Sequence, residues 1–504
     1  MIGQMDPLNT MEIVFIGLYL AFLLLIGLAG WRSRKANTLK DFYLGGSSTG
    51  LWVLLLTLYA TQYSGNTLFG FTGKTYRVGF SWTVSIQFMT AIVVVYLTFA
   101  PRLFSLSRTQ GFITPADYLQ HRFKTPLLSL VASLVMILAI GNFLLAQMMA
   151  MGKAVEGLFE TDPWWAYFYG VVFLAAIIVV YETLGGFRAV AWTDAIQGSI
   201  LMLGFAALII LIFQRFGSLD RASSLLAQSN PSTLSPPSVA GVREWISYLL
   251  IVGIGGALYP QAVQRIYCAR NAKTLRLSLM IMVFLPLVTT SVSLIAGIMG
   301  LAYLPNLPPE QTDSLLTIIC REVQQESLLG RWVVVVLFAA ILAAIMSTAD
   351  SILLSISSML TKDIYAPWIR QGASEAELMR VGKLCAWLFI TIAAAGAILL
   401  RGTTLVTLLD RKLDLLIQLS PAFILGLWWK PLNGQAVLLG LLTGIVTALT
   451  LAASGYGKLY EIHAGLYGLL GNLLVAISWS MIVNRRGTRA KEDKIQNLTP
   501  KSDE

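Results

Sequence analysis

Apolar runs of about twenty residues recur along nearly the whole chain, separated by short polar connections. Thirteen can be traced, at 11–31, 50–73, 80–101, 126–152, 164–184, 190–214, 244–264, 277–303, 331–358, 381–400, 404–428, 434–454 and 461–483. A helix of about twenty residues rises about 30 Å, the depth of a bilayer's hydrocarbon core. The pattern predicts an all-α polytopic membrane protein of about 13 transmembrane helices. Residues 1–484 read as one transmembrane domain, and the charged segment 485–504 as a disordered cytoplasmic tail. The first run is long enough to span and no small-residue cleavage site ends it, so no cleavable signal peptide is expected. The eleventh run is interrupted by Asp410-Arg411-Lys412 and Asp414. The connections 215–243 and 304–330 are Ser/Pro-rich or mixed polar and read as connectors or gating segments.

Two runs carry breaks. The second contains Tyr59-Ala60-Thr61-Gln62-Tyr63-Ser64-Gly65-Asn66-Thr67, and the seventh contains Gly253-Ile254-Gly255-Gly256-Ala257-Leu258-Tyr259-Pro260. Glycine clusters and proline weaken the helical ladder, and lipid cannot replace the lost hydrogen bonds. Such backbone is tolerated in a membrane where it lines a cavity, although glycines also let helices pack closely. Interrupted helices five spans apart suggest inverted five-helix repeats, at about 50–214 and 244–428, with extra helices 11–31, 434–454 and 461–483.

The ninth run holds Ala343-Ala344-Ile345-Met346-Ser347-Thr348-Ala349-Asp350-Ser351. A charged group at mid-bilayer costs roughly 2.5–3.5 kcal/mol even on the lenient insertion scale, so such a segment marks a cavity, an ion or a partner helix. Ser347 lies roughly 16 Å above the cytoplasmic end of its span, and Ala60 roughly 14 Å above that of the second, so the two polar segments are level. Ala344, Ser347, Thr348, Ser351, Ser355 and Ser358 fall within one helical arc of roughly 100°, with Asp350 about 60° to one side of Ser347. Hydroxyls and carbonyls freed by a broken helix are hard oxygen donors that suit weakly held Na⁺. The competing reading has each Ser or Thr bonding back to its own helix. Asp194 sits just inside the sixth run, as a functional carboxylate or as a first-turn partner of the helix N-terminus. Glu182 and Arg188 flank the preceding turn and are expected to form a cytoplasmic ion pair.

Charge sets orientation. Lys and Arg number 24 in the connections after odd-numbered runs and the C-terminal tail, against 9 on the other side. That bias predicts an N-terminus outside and a cytoplasmic C-terminus, in a plasma (inner) membrane. The net charge of +10 then reflects cytoplasmic loops facing anionic lipid and calls for no nucleic acid. Cys268, Cys320 and Cys385 fall in separate regions without metal-ligand spacing, so no disulfide is expected. His121 and His463 read as surface histidines.

Several motifs, in order, resemble the sodium:solute symporter family, which holds proline, pantothenate, sialic acid and sodium/glucose cotransporters. They are Asp41-Phe42-Tyr43-Leu44-Gly45-Gly46, Ala60 through Gly65, Gly185-Gly186-Phe187 leading to Trp192-Thr193-Asp194, Gln264-Arg265, Ala344-Ile345-Met346-Ser347-Thr348, and Lys362-Asp363-Ile364-Tyr365. The resemblance implies a LeuT-type core of two inverted repeats. It also implies a Na⁺ site of the Ala60, Tyr63 and Ala344 carbonyls with the Ser347 and Thr348 hydroxyls. A second Na⁺ position, found in some members, carries over to Asp194, Ser347, Asp350 and Ser351, although those members have a hydroxyl residue at the Asp350 position. The proline pattern has an aspartate where this chain has Gln62, which argues against proline. Sialic acid members carry an arginine in the fourth span, where this chain reads Ile140-Gly141-Asn142-Phe143, which argues against sialic acid. By position, Gln62, Ser64, Thr67, Gln87 and Tyr259 are expected to line the solute pocket. The reading is a Na⁺-coupled secondary active symporter, not an enzyme, importing a small polar solute such as an organic acid or amino acid by alternating access. Na⁺ is the coupling ion, the partners are solute and lipid bilayer, and no obligate protein partner is evident. The alternatives are a channel or a transporter-like membrane sensor.

Overall fold

The computed structural model describes residues 10–64, 66–156, 162–324, 328–401 and 405–498. Among these the chain is helical except for the short antiparallel pair Lys458–Leu459 and Ile462–His463. Among the described residues eleven helices are long and apolar enough to cross a membrane, against the thirteen spans expected. The two expected spans that drop out are broken into pieces. The second divides into Leu51–Gln62, a π-helical turn Asn66–Gly70 and Phe71–Val78. The eleventh divides into Leu405–Leu416 and the short turns Ile417–Leu419, Pro421–Leu425 and Gly426–Trp428.

The ninth span, Leu328–Met359, is the axis of the molecule. Its apolar window is 94% buried, against 28% for Thr10–Arg32 and 22% for the last span. It packs on the sixth span, Phe187–Phe216, and on the fourth, Pro126–Glu156, while Gly434–Ala453 and the last helix pack on one another at the periphery. A helix whose whole circumference is buried need not be amphipathic, which explains how a polar stripe and an apolar remainder coexist here.

The corner between the fifth span, Pro163–Gly185, and the sixth requires glycine. Gly186 has φ +60° and ψ −149°, and a Cβ there would lie 2.6 Å from the Phe42 carbonyl oxygen. Beside this corner Arg188 donates to both oxygens of Asp41, at 2.7 Å each. Burial pushes the Asp41 carboxyl up, but the guanidinium outweighs it and holds the group below its ordinary value. The expected Glu182–Arg188 pair is therefore not formed, because Asp41 offers a bidentate fork and Glu182 is buried within its own helix.

Other differences concern the connections. The segment 215–243 contains the helix Leu219–Ser229, and 304–330 contains Leu315–Gln324, so neither is a plain connector. The last helix runs Ala464–Leu498, through much of the segment expected to be disordered. His463 is buried, with its Nδ1 2.6 Å from the Ser247 hydroxyl and its ring against Tyr248; only His121 is exposed.

Candidate ion and solute site

The second span loses its helical ladder at Tyr63, whose φ of −100° and ψ of 110° are extended. The Ser64 N–H turns to the Thr67 hydroxyl at 3.4 Å instead of closing on Ala60. The Ala60 and Tyr63 carbonyls are thereby left pointing at the ninth span. The Ser347 hydroxyl donates to Ala60 at 3.4 Å and to Ala344 at 3.2 Å. The Thr348 hydroxyl stands 3.3 Å from Ala60, 3.5 Å from Tyr63 and 3.0 Å from Ala344. All five oxygens expected from the sequence thus converge, and both hydroxyl side chains are fully buried. The Ala60 and Tyr63 carbonyls, at the end of the helical ladder, keep lone pairs that two O–H protons cannot fill, so the cluster holds more acceptors than donors. Octahedral ligands 2.3–2.6 Å from a cation, the range for calcium, stand about 3.3–3.7 Å apart, close to the separations here. The back-bonding reading is also partly right, since both hydroxyls reach the Ala344 carbonyl of their own helix. It does not account for the contacts to Ala60 and Tyr63.

The second set is arranged around a residue that the sequence reading left without a role. Arg265 is fully buried, and its Nη2 donates to Asp194 Oδ2 at 3.4 Å and, at close range, to the Ser351 hydroxyl. Its Nε donates to Thr57 at 3.3 Å, and its Nη1 to the Gln261 carbonyl at 3.2 Å. Thr57 in turn donates to Asp194 Oδ2, and the Thr61 and Ser351 hydroxyls are 3.3 Å apart. Asp194 lies inside Phe187–Phe216 and acts as the carboxylate of this network, not as an N-terminal cap. Asp350 stands apart from the guanidinium: Tyr181 donates to its Oδ2 at 2.5 Å. Oδ1 of Asp194 and Oδ1 of Asp350 have no hydrogen-bond partner among the described residues. Lower on the ninth span, Ser355 donates to Gln264 Oε1 at 2.6 Å, and Gln264 Nε2 donates to Ser358 at 2.7 Å. The hydroxyl stripe is therefore shared: its upper part meets the break in the second span, its lower part Gln264 and Arg265.

Of the expected solute residues, Gln62 donates to the Tyr96 hydroxyl at 3.3 Å and its buried Oε1 has no partner among the described residues. Ser64 and Thr67 are buried and tie the broken backbone, and Ser293 donates to the Thr67 carbonyl at 2.9 Å. Gln87 lies on the exposed side of its helix and is not brought to the others. Tyr259 is buried at the break between Val239–Ala257 and Pro260–Cys268, its ring stacked 5.8 Å from Phe143. Lys412, from the interrupted eleventh span, places its ammonium 2.9 Å from the Phe143 ring centroid and 4.8 Å from that of Tyr259. It is only 1% exposed. A desolvated cation–π contact contributes about 2 kcal/mol, whereas a mid-membrane ammonium costs roughly 2.5–3.5 kcal/mol on the lenient scale. Two such contacts are of the same size as that cost, but ring faces leave the three N–H donors without acceptor atoms.

The sodium:solute symporter family model matches residues 42–444. The chain is 29% identical to the osmoregulated proline transporter OpuE of Bacillus subtilis over 94% of its length and 95% of the relative's. It is 26% identical to the sodium/proline symporter of Salmonella typhimurium, over 93% of each. Its fold is similar to that of a Na⁺-coupled sialic acid symporter, with a TM-score of 0.76 at 22% identity, covering 94% of this chain and 98% of that one. It is also similar to Mhp1, a nucleobase-cation-symport-1 transporter, with a TM-score of 0.56 at 14% identity, covering 89% and 96%. The family match over most of the chain establishes that it belongs to the sodium:solute symporter family, a family of Na⁺-coupled symporters of small solutes and not of enzymes.

Proposed function

We propose that Na⁺ binds between the second and ninth spans, held by the Ala60, Tyr63 and Ala344 carbonyls and the Ser347 and Thr348 hydroxyls. The observation that carries this is the convergence of those five oxygens at a broken helix. An ion there fastens the break to the central helix and so organises the outward-facing state. Solute binding closes the outer side, and loss of Na⁺ to the low-sodium cytoplasm loosens the break and releases the solute. The solute is a small polar molecule, an organic acid or amino acid, bound against Gln62, the broken segment Ser64–Thr67 and Tyr259. Two relatives are named proline transporters, but Gln62 stands where the proline pattern has a carboxylate. The inverted repeats cover about 50–214 and 244–428, with the N-terminus outside a plasma membrane.

One Na⁺ per cycle follows from the second set of residues. Arg265 already bridges Asp194 and Ser351, so a cation is supplied by the protein at the place where a second Na⁺ would sit. The test is uptake of labelled amino acids and organic acids into proteoliposomes with and without an inward Na⁺ gradient. Wild type is expected to accumulate at least one of them only with Na⁺, with a Hill coefficient for Na⁺ near one. Ser347→Ala with Thr348→Ala is expected to abolish the Na⁺ stimulation, and unchanged Na⁺-dependent uptake in that variant would falsify the site.

A further inference from the structure

We propose that the Lys412 ammonium is the anchor for a carboxylate on the transported solute, an inference that rests on the symport reading above. Lys412 is buried in a span that the sequence marks as interrupted, and no carboxylate lies within ion-pair reach of it among the described residues. Among the described residues its charge is met by ring faces, those of Phe143 and Tyr259. Both rings belong to elements that border the breaks. Tyr259 caps the lower half of the seventh span, and the fourth span, which carries Phe143, packs on the π-helical turn Asn66–Gly70. Leu405–Leu416 packs on that same turn and on Val239–Ala257. Gly255 lies at the second contact: a Cβ there would come 3.3 Å from the Leu413 side chain and 3.4 Å from its carbonyl oxygen.

The ammonium therefore sits beside the break in the seventh span, on an element that also packs on the π-helical turn of the second, and such breaks are where a symporter of this architecture exposes polar backbone to its cargo. Aromatic faces attract a cation but leave its N–H donors unsatisfied, so the site is complete only when an acceptor anion arrives. A solute carboxylate supplies two acceptor oxygens. It would also bring a negative charge near the Na⁺ site, coupling the binding of the two without any further residue. The fourth span has no cation beside Phe143, where it reads Ile140-Gly141-Asn142-Phe143, and Lys412 brings one there from the eleventh.

The experiment compares acids with the primary amides that lack the carboxylate charge, for example lactate with lactamide, which is neutral, and proline with prolinamide, which keeps its ammonium. Each competes for Na⁺-driven uptake of whichever labelled panel acid the wild type accumulates. The amide is expected to compete at least tenfold more weakly than its acid. Lys412→Gln should raise the KM for the acid at least tenfold and bring the acid-to-amide ratio close to one, and Lys412→Arg should restore part of it. Na⁺-induced thermal stabilisation of the detergent-solubilised protein should be the same in Lys412→Gln as in wild type, which separates loss of the anchor from misfolding. An unchanged acid-to-amide ratio in that variant overturns the anchor while leaving symport intact. Uptake that requires chloride in wild type but not in Lys412→Gln also overturns it, by showing that the anion is an inorganic one. No Na⁺-driven uptake of any panel solute by wild type overturns the symport reading and the anchor together.

Discussion

A guanidinium with no solvent exposure, as at Arg265, is stable only while its carboxylate and hydroxyl partners are in place. Removing one partner of such a pair leaves an uncompensated charge and costs about 3–5 kcal/mol, whereas removing both charges together is often close to neutral. Asp194→Asn is therefore expected to lower the melting temperature of the detergent-solubilised protein sharply. Arg265→Met should do the same, and the double variant should recover most of the loss. A double variant as unstable as the sum of the singles would show that the two do not act as a pair. The same residue shows what the sequence left illegible. Ser347 and Thr348 stand out because hydroxyls at helical spacing are conspicuous in an apolar run. Arg265 falls one residue beyond the expected seventh span and there reads as one more positive charge in a cytoplasmic loop. Nothing in one-dimensional spacing says that the loop folds inward as Pro260–Cys268, carrying Gln264 and Arg265 onto the ninth span. Gln87 shows the opposite limit: its polarity is visible in the sequence, but the exposed face of the helix it occupies is not.

At the level of elements, the glycine and proline clusters marked both breaks, because weakened ladders leave a compositional trace. They served two purposes that composition cannot separate. The break itself sits at Leu258-Tyr259-Pro260, while the glycines upstream let Val239–Ala257 approach its neighbours. A Cβ on Gly253 would lie 2.9 Å from the Cβ of Ala91, and one on Gly256 would lie 2.8 Å from Cδ1 of Ile92. The distances are alike but their consequences differ. A short alanine fixed to its backbone cannot withdraw, whereas the tip of an isoleucine can change rotamer. Gly253→Ala is thus expected to force the two helices apart, at about 1–3 kcal/mol, and Gly256→Ala to cost less. Thermal melting of the two variants side by side measures this, and equal losses would mean that helix separation, not side-chain freedom, sets the cost. In the eleventh span the charges that interrupt the apolar run mark an element that is divided into short helical pieces and carries a buried ammonium.

For the whole molecule, the arrangement of charges sets how steeply it can concentrate its solute. On the proposal that Arg265 takes the place of a second ion, one Na⁺ moves inward per solute. A tenfold Na⁺ gradient then supplies about 1.4 kcal/mol, and a membrane potential of 100 mV supplies about 2.3 kcal/mol for each net positive charge moved. A zwitterionic amino acid travels with one net positive charge, so the two terms add to about 3.7 kcal/mol and permit accumulation of about 500-fold. A monocarboxylate cancels the charge of the ion; its transport is electroneutral and the limit falls to about tenfold. Proteoliposomes with a fixed tenfold Na⁺ gradient, with and without a valinomycin-imposed potassium diffusion potential, distinguish the cases. A zwitterion should respond to the potential and a monocarboxylate should not. Accumulation of a monocarboxylate well beyond tenfold, rising with the potential, would require a second cation per cycle. Asp194 and Asp350, whose Oδ1 atoms both lack partners among the described residues, would then be the carboxylates to hold it, and Arg265 would have to swing away from Asp194 during the cycle.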